Sequence, residues 1–257
     1  LSKPEVILLS LQIQMLGTGS AFAKKYYNNN ALVYFGGYTL LVDCGTTAPR
    51  SLFELQIPFN KIDAVLITHL HADHIGGLEE LAFQLTYVYR HRMKLVVPSS
   101  ISDNLWNQSL RGGLENAAEG FTKLESYFDV CIVDEEMPFE LQPGFTVELL
   151  PTEHVPKKPS YSLVLNDYVY FSSDSKFDPA RLNDMHGNRR CQYIFHDCQL
   201  FSPGTVHASL NELLSLPEEI QAKVLLMHYG DNKDDYIGKT GLMRFIDQHK
   251  IYDLPNT

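Results

Sequence analysis

The chain has 257 residues, 44% of them apolar and 20% charged, a balance that fits a folded globular protein and excludes global disorder. Its formal charge of −10 argues against a protein that coats duplex nucleic acid, because basic side chains facing phosphates supply most of that affinity; an acidic chain can still take a nucleotide through metal ions. No apolar run approaches the length needed to cross a bilayer, and the apolar stretch at residues 6–11 is too short for the core of a signal peptide. Short runs rich in β-branched and aromatic residues then predict strands over residues 11–16, 31–35, 39–42, 64–68, 94–97, 130–133, 146–150, 161–165, 168–171, 192–195 and 223–227. Gly36-Gly37 and Asn166-Asp167 read as tight hairpin turns. Helices are expected over 46–55, 77–89, 99–105, 113–119, 207–216 and 240–249.

No long linker, low-complexity tract or solenoid repeat divides the chain. Residues 1–257 therefore read as a single α/β domain with its sheets covered by helices. Cys44, Cys131, Cys191 and Cys198 form no C-x-x-C pair and are too sparse for a disulfide framework. They read as reduced thiols of a cytoplasmic protein. Trp106 reads as core.

The densest cluster of reactive side chains is His69-Leu70-His71-Ala72-Asp73-His74. The apolar strand at 64–68 runs straight into it. His69 and His71 are two apart, so in extended backbone their side chains share a face. Asp73 and His74 fall where the chain turns, and Gly76-Gly77 permits a tight entry into the next helix. Imidazoles and a carboxylate at this density suit a borderline ion such as zinc, with manganese and iron also compatible. The bland alternative is a histidine-rich surface loop, but such loops seldom follow a buried strand with this spacing. Three further candidates, His154, Asp174 and His228, each stand just after a predicted strand. Strand ends converge on one edge of a sheet, the usual place for an α/β active site. Alone, each would read as a structural residue; together, four strand ends deliver metal-type ligands.

This ordered set, with Leu16-Gly17-Thr18-Gly19 at its start and Val42-Asp43-Cys44-Gly45 after it, resembles the metallo-β-lactamase superfamily. The resemblance implies a four-layer αββα sandwich with two divalent metal ions at one edge of the sheets. By motif, it implies His69, His71 and His154 on the first ion, Asp73, His74 and His228 on the second, and Asp174 on both. A histidine rather than a glutamate at position 71 argues against the di-iron oxygen-reducing branch, and Asp174 argues against true β-lactamases. Two ions ~3.5–4 Å apart can acidify a bridging water to hydroxide near neutral pH and neutralise a phosphoryl transition state. Asp73 counts among the catalytic groups in that scheme. A leaving alkoxide also needs a proton. Phe195-His196-Asp197 and Val206-His207-Ala208-Ser209 resemble the tRNase Z-like phosphodiesterase branch, where a His-Glu pair and a later helix-start histidine act together. The implied roles are His207 as general acid and Asp197, one methylene shorter than Glu, as its orienting carboxylate. His196 reads as structural or as a partner behind the ligands. His91, His186 and His249 default to the surface.

The tRNA-processing members carry a long arm between the positions matched by His154 and Asp174. Here 19 residues separate the two, leaving no room for one. Lys24-Lys25, the basic cluster at 90–94, Lys157-Lys158 and Arg189-Arg190 read as solvated faces. A small phosphodiester is favoured over a folded RNA, and stable nucleic-acid binding is disfavoured. The arm-less layout, the run into Gly76-Gly77-Leu78-Glu79-Glu80-Leu81-Ala82-Phe83 and the segment Leu110-Arg111-Gly112-Gly113-Leu114-Glu115 are similar to the anti-Pycsar type of cyclic-nucleotide phosphodiesterases of phages and bacteria. That likeness implies opening of 3′,5′-cyclic nucleotide monophosphates, a homodimer, and a role in nucleotide balance or against a nucleotide-signalled defence. Tyr26, Tyr27 and Asn28 to Asn30 offer a loop for contacting a base, or an ordinary polar loop. The competing expectations are a tRNA 3′-processing endoribonuclease, a thioester or lactone hydrolase, and a binder that sequesters nucleotides.

Overall fold

Along residues 40–42 successive side chains enter different apolar clusters: Leu40 and Val42 join one, Leu41 another. Ile194 and Phe195 divide in the same way. Strands with both faces buried require cover on both sides, and that requirement sets the layering. The computed structural model describes residues 10–257, so the apolar stretch at 6–11 lies mostly outside the described residues. Six strands come first: β1 (Leu11–Met15), β2 (Ala31–Phe35), β3 (Tyr38–Val42), β4 (Ala64–Leu66), β5 (Lys94–Pro98) and β6 (Asp129–Val133). Then follow β7 (Phe139–Gln142), β8 (Phe145–Pro151), β9 (Tyr161–Leu165), β10 (Val169–Phe171), β11 (Tyr193–Asp197), β12 (Val224–Met227), β13 (Arg244–Phe245) and β14 (Ile251–Leu254).

They form two seven-stranded sheets, ordered β14-β1-β2-β3-β4-β5-β6 and β13-β12-β11-β10-β9-β8-β7. Each is mixed. In the first, β3 to β6 run parallel and the rest antiparallel; in the second, β10 to β13 are parallel. The core between the sheets holds Ile13, Val33 and Leu66 from one side and Leu163, Phe171 and Phe195 from the other. The outer face of the first sheet packs against helices α1 (Ala48–Glu54), α2 (Ala72–Ile75), α3 (Leu78–Phe83), α4 (Ser99–Asn104) and α5 (Arg111–Leu114) through Leu52, Leu78, Leu81 and Leu105. Trp106 is buried there, as expected. The outer face of the second packs against α6 (Pro179–Gly187), α7 (Leu210–Leu213) and α8 (Glu218–Gln221) through Leu182, Met185, Leu213 and Ile220. Helix, sheet, sheet, helix is the expected αββα order.

The hairpin turns are as read: Gly36 and Gly37, and Asn166 and Asp167, all have positive φ, the backbone a two-residue type I′ turn needs. All four cysteines are free, and among the described residues no helix is long and apolar enough to cross a membrane. Three expectations need correction. Residues 240–249 are not a helix but turns around the short β13. The helix placed at 207–216 starts later, capped by Ser209, whose hydroxyl and Glu212 form a reciprocal capping box; His207 therefore stands in the loop before it. The span 113–119 splits into the end of α5 and one separate turn at Ala117–Glu119.

Candidate metal centre and active site

The topology brings the ligand-bearing strand ends together. Strands β10, β11 and β12 are parallel. Strand β8 is antiparallel to β9, which is antiparallel to β10, so β8 runs the same way as β10. His154, Asp174, Asp197 and His228 thus all lie at or just beyond the same edge of the second sheet. His69 and His71 follow β4 of the first sheet, and Asp73 and His74 belong to α2. Asp43 follows the parallel neighbour β3. Gly45 allows the two loops of the first sheet to touch: a Cβ there would meet the Asp73 carbonyl oxygen at 1.8 Å.

Two groups of side chains converge, and Asp174 belongs to both: His69, His71, His154 and Asp174; Asp73, His74, Asp174 and His228. In the first, His71 Nδ1 lies 3.1 Å from His69 Nε2 and 3.2 Å from His154 Nε2, while Asp174 Oδ2 lies 3.7 and 3.6 Å from the latter two atoms. In the second, His74 Nε2 is 3.4 Å from both Asp73 Oδ2 and Asp174 Oδ2. His228 Nε2 is 3.6 Å from Asp73 Oδ2 and 3.5 Å from Asp174 Oδ1. Asp73 Oδ2, His74 Nε2, Asp174 Oδ1 and His228 Nε2 are buried without a hydrogen-bond partner. Buried polar atoms are normally satisfied, so orphans aimed at common points fit metal ligands. Two clusters of His and Asp donors sharing one carboxylate suit a pair of divalent ions such as Zn2+ or Mn2+.

The ligands are held from behind. His74 Nδ1 lies 2.7 Å from Asp43 Oδ2, and Asp43 also accepts from the Thr68 amide at 2.8 Å and hydroxyl at 2.7 Å. His154 Nδ1 donates to the Val206 carbonyl at 2.7 Å. The Asp174 carbonyl accepts from Thr152 Oγ1 and Ser160 Oγ. Such partners fix the ring orientation that ligation needs. Sequence reasoning had not given Asp43 a role; its position directly after a buried strand, with φ 61°, is the signal that marks it.

Electrostatics agree with a cation site. Burial holds the His69 imidazole well below its ordinary value, and it also lowers His71 and His154, which keeps all three neutral, the ligating form. Burial alone would push the carboxyls of Asp174 and Asp73 up, but the neighbouring imidazoles, His228 and His74 for Asp174, hold both low. Against the same burial, Asp174, Asp43 and Asp73 raise His74, and Asp174 and Asp73 raise His228. Positive charge is wanted at that end, and a divalent ion would displace those protons.

His207 and Asp197 meet beside the clusters. His207 Nδ1 is 2.9 Å from Asp197 Oδ2, and the His207 ring centroid is 4.5 Å from that of His228 and 4.8 Å from that of His154. Asp197 is fully buried and accepts from the Ser175 amide and the Ser172 hydroxyl. Burial would raise its carboxyl, but hydrogen bonds from His196 and His207 hold it below the ordinary value. The shorter Asp side chain therefore does reach. His196 is buried, its Nδ1 2.8 Å from the Asp197 carbonyl. The structure gives other roles to two groups. Asn28 and Asn30 are buried scaffolding rather than base contacts: Asn28 accepts from the Thr47 amide, and Asn30 bridges the Gly45 amide and the Asp73 carbonyl. His249 is half-buried, 3.0 Å from Ser51 Oγ, not a free surface residue.

Comparison with known proteins bears on the same stretch of chain. The solved structure of the metallo-β-lactamase fold protein YhfI from Bacillus subtilis superposes with a TM-score of 0.75 at 19% identity, over 95% of this chain and 99% of that one, which supports the fold. The family described as anti-Pycsar protein Apyc1 matches residues 11–252. The anti-Pycsar protein Apyc1 of Paenibacillus xerothermodurans is 56% identical over 244 residues, 95% of this chain and 98% of the relative. That of Bacillus phage BSP38 is 45% identical over 260 residues, 96% and 100% of the two chains. With a metal centre at the sheet edge, a metallo-β-lactamase-like fold and relatives matching over nearly their whole length, the chain belongs to the anti-Pycsar protein Apyc1 family.

Proposed function

We propose that the chain hydrolyses 3′,5′-cyclic nucleotide monophosphates to linear nucleotides and so counteracts cyclic-nucleotide immune signalling. The observation that carries this reading is the shared carboxylate: Asp174 stands between two ligand clusters, with the His207–Asp197 pair beside them. In this reading His69, His71 and His154 would hold one ion and Asp73, His74 and His228 the other, with Asp174 available to both. When bound, the two cations supply Lewis acidity toward the phosphoryl oxygens and lower the pKa of water. The chain supplies the rest. Asp197, anchored by Ser172 and Ser175, accepts the hydrogen bond of His207 Nδ1–H, which orients the ring and leaves Nε2 to donate the proton that the departing alkoxide needs. Asp73, within 3.6 Å of the His74 and His228 rings, would help to hold the second ion.

A small substrate is favoured because residues 155–173, where an RNA-gripping arm would emerge, are taken up by a tight turn and the β9–β10 hairpin. We also infer a homodimer, supported by the exposed Phe53, Tyr87 and Val88 on the helical face over the first sheet, and a cytoplasmic location, supported by four free thiols. The test is product analysis over a panel of purine and pyrimidine 3′,5′-cyclic nucleotides and a precursor tRNA, with protein loaded with zinc or manganese. Linear monophosphates from the cyclic panel, with the tRNA intact, are expected. No turnover of any cyclic form by protein holding both ions would overturn the reading. Sedimentation of the purified chain checks the dimer.

A further inference from the structure

Directly after the ligand His154 the chain makes a tight turn, Val155-Pro156-Lys157-Lys158, closed by the Lys158 amide donating to the Val155 carbonyl at 3.1 Å. Proline stands at the second position and Lys157, with φ 64°, at the third. This is a type II turn, whose third position favours glycine. The turn walls a depression of about 600 Å3 lined by Thr152, Glu153, His154, Pro159 and three lysines, Lys157, Lys158 and Lys176. Lys176 is only two residues beyond Asp174 and stays loosely paired, 3.8 Å from the exposed Glu153. The lining carries three positive charges against one negative, in a chain whose net charge is −10. The charge inversion is local, and it adjoins a metal ligand.

We propose that this lysine-walled depression is an anion-attracting subsite beside the metal centre, which draws the phosphate of substrate and product toward the ligands and helps to retain it there. The inference rests on the phosphodiesterase reading above. It adds a consequence: a cyclic phosphodiester carries one negative charge, whereas the linear monophosphate carries about −1.5 to −2 at neutral pH. A wall of lysines therefore holds the product more tightly than the substrate, and it contributes to retention of product as well as to capture of substrate. Lys157 and Lys158 act as positioning residues for the phosphate.

The test uses Lys157→Gly and the double variant Lys157→Gly/Lys158→Ser. Glycine suits the left-handed position, so Lys157→Gly should melt no lower than the parent, which separates charge from folding. Binding of adenosine 5′-monophosphate and of inorganic phosphate to the zinc-loaded proteins is measured by calorimetry at low and high salt, with no turnover required. The double variant should bind the nucleotide about ten-fold more weakly, and the difference should shrink with salt, as expected for two exposed ion pairs of at most about 1 kcal/mol each. KM for bis(p-nitrophenyl) phosphate should rise about three-fold with little change in kcat and no change in metal content. Affinities within two-fold of the parent, or a difference that salt does not reduce, would overturn the subsite. If the parent binds these anions through the lysines yet opens no cyclic nucleotide, the functional reading fails and the subsite stands.

Discussion

His154 Nδ1 lies 2.7 Å from the carbonyl oxygen of Val206, the residue directly before His207. One hydrogen bond thus links a member of the first metal-binding cluster to the loop that carries the proposed proton donor, and the Ala208 amide ties the same loop to the Ser175 carbonyl at 2.9 Å. The loop has no regular secondary structure, but these bonds fix it on both sides of His207.

His207→Ala should therefore keep both ions and slow the chemistry. With a cyclic nucleotide, kcat should fall by about 10²–10⁴-fold, the usual worth of a positioned acid. With bis(p-nitrophenyl) phosphate, whose leaving group needs no proton, the loss should be far smaller. Steady-state kinetics on both substrates, beside metal analysis, checks this; equal losses on the two would remove His207 from the role of acid.

Asp197→Ala should cost stability as well as rate. It leaves the Ser175 amide and the His207 ring without their acceptor, so about 2–4 kcal/mol of folding free energy should be lost. Urea denaturation measures it. Asp197→Asn should recover most of the stability but not the rate, because an amide cannot orient and charge-balance the imidazole as a carboxylate does.

Asp174→Ala should lower the content of both ions together, whereas His71→Ala should weaken one of them. His71 belongs only to the first cluster and Asp174 to both. Elemental analysis after dialysis against a weak chelator distinguishes the two patterns, and an Asp174→Ala protein that still holds two ions per chain would show that the carboxylate is not shared.

Acid should weaken the native state partly through Glu135. Burial would push this carboxyl up, but the Ser100 amide at 3.0 Å, the Ser100 and Ser99 hydroxyl groups and its own backbone amide pull it from 4.5 down to about 2. The unfolded chain then binds the proton first, so the contribution is complete above about pH 4.5 and is lost as pH falls toward 2. Discounted for solvent screening, it amounts to about 1 kcal/mol. Urea midpoints of the parent and Glu135→Gln should differ at pH 7 and converge near pH 2.5.

The clustering of the metal-binding side chains was legible because strand and donor patterns coincide: a run of buried residues at 64–67 ends in His69 and His71, and lone His or Asp residues close three other strands. The acid role proposed for His207 comes only through resemblance, since nothing local distinguishes it from a loop histidine. Its helix start was misplaced, although Ser209 and Glu212 carry the capping-box signal two residues on. Residues 240–249 misled because Met243 and Ile246, three apart and both buried, imitate a helical face, while Gly238 and Gly241 with positive φ turn the backbone away from one. Strands β7 and β14 lie at or near sheet edges, half exposed, and so lack the apolar run that marks a central strand. Helix α6 was missed despite Asp178 and Pro179, a cap and a first-turn proline that announce it.

Asp174 springs from one sheet and the histidines of residues 69–74 from the other, so the ligand shell is a clasp across the two halves of the sandwich. With ions bound there, the halves could not separate without releasing them, and neither half alone carries the full set of donors. Metal loading should therefore act as a brake on unfolding of the whole chain, so that stripping the ions speeds its loss on heating even where the sheets themselves are untouched.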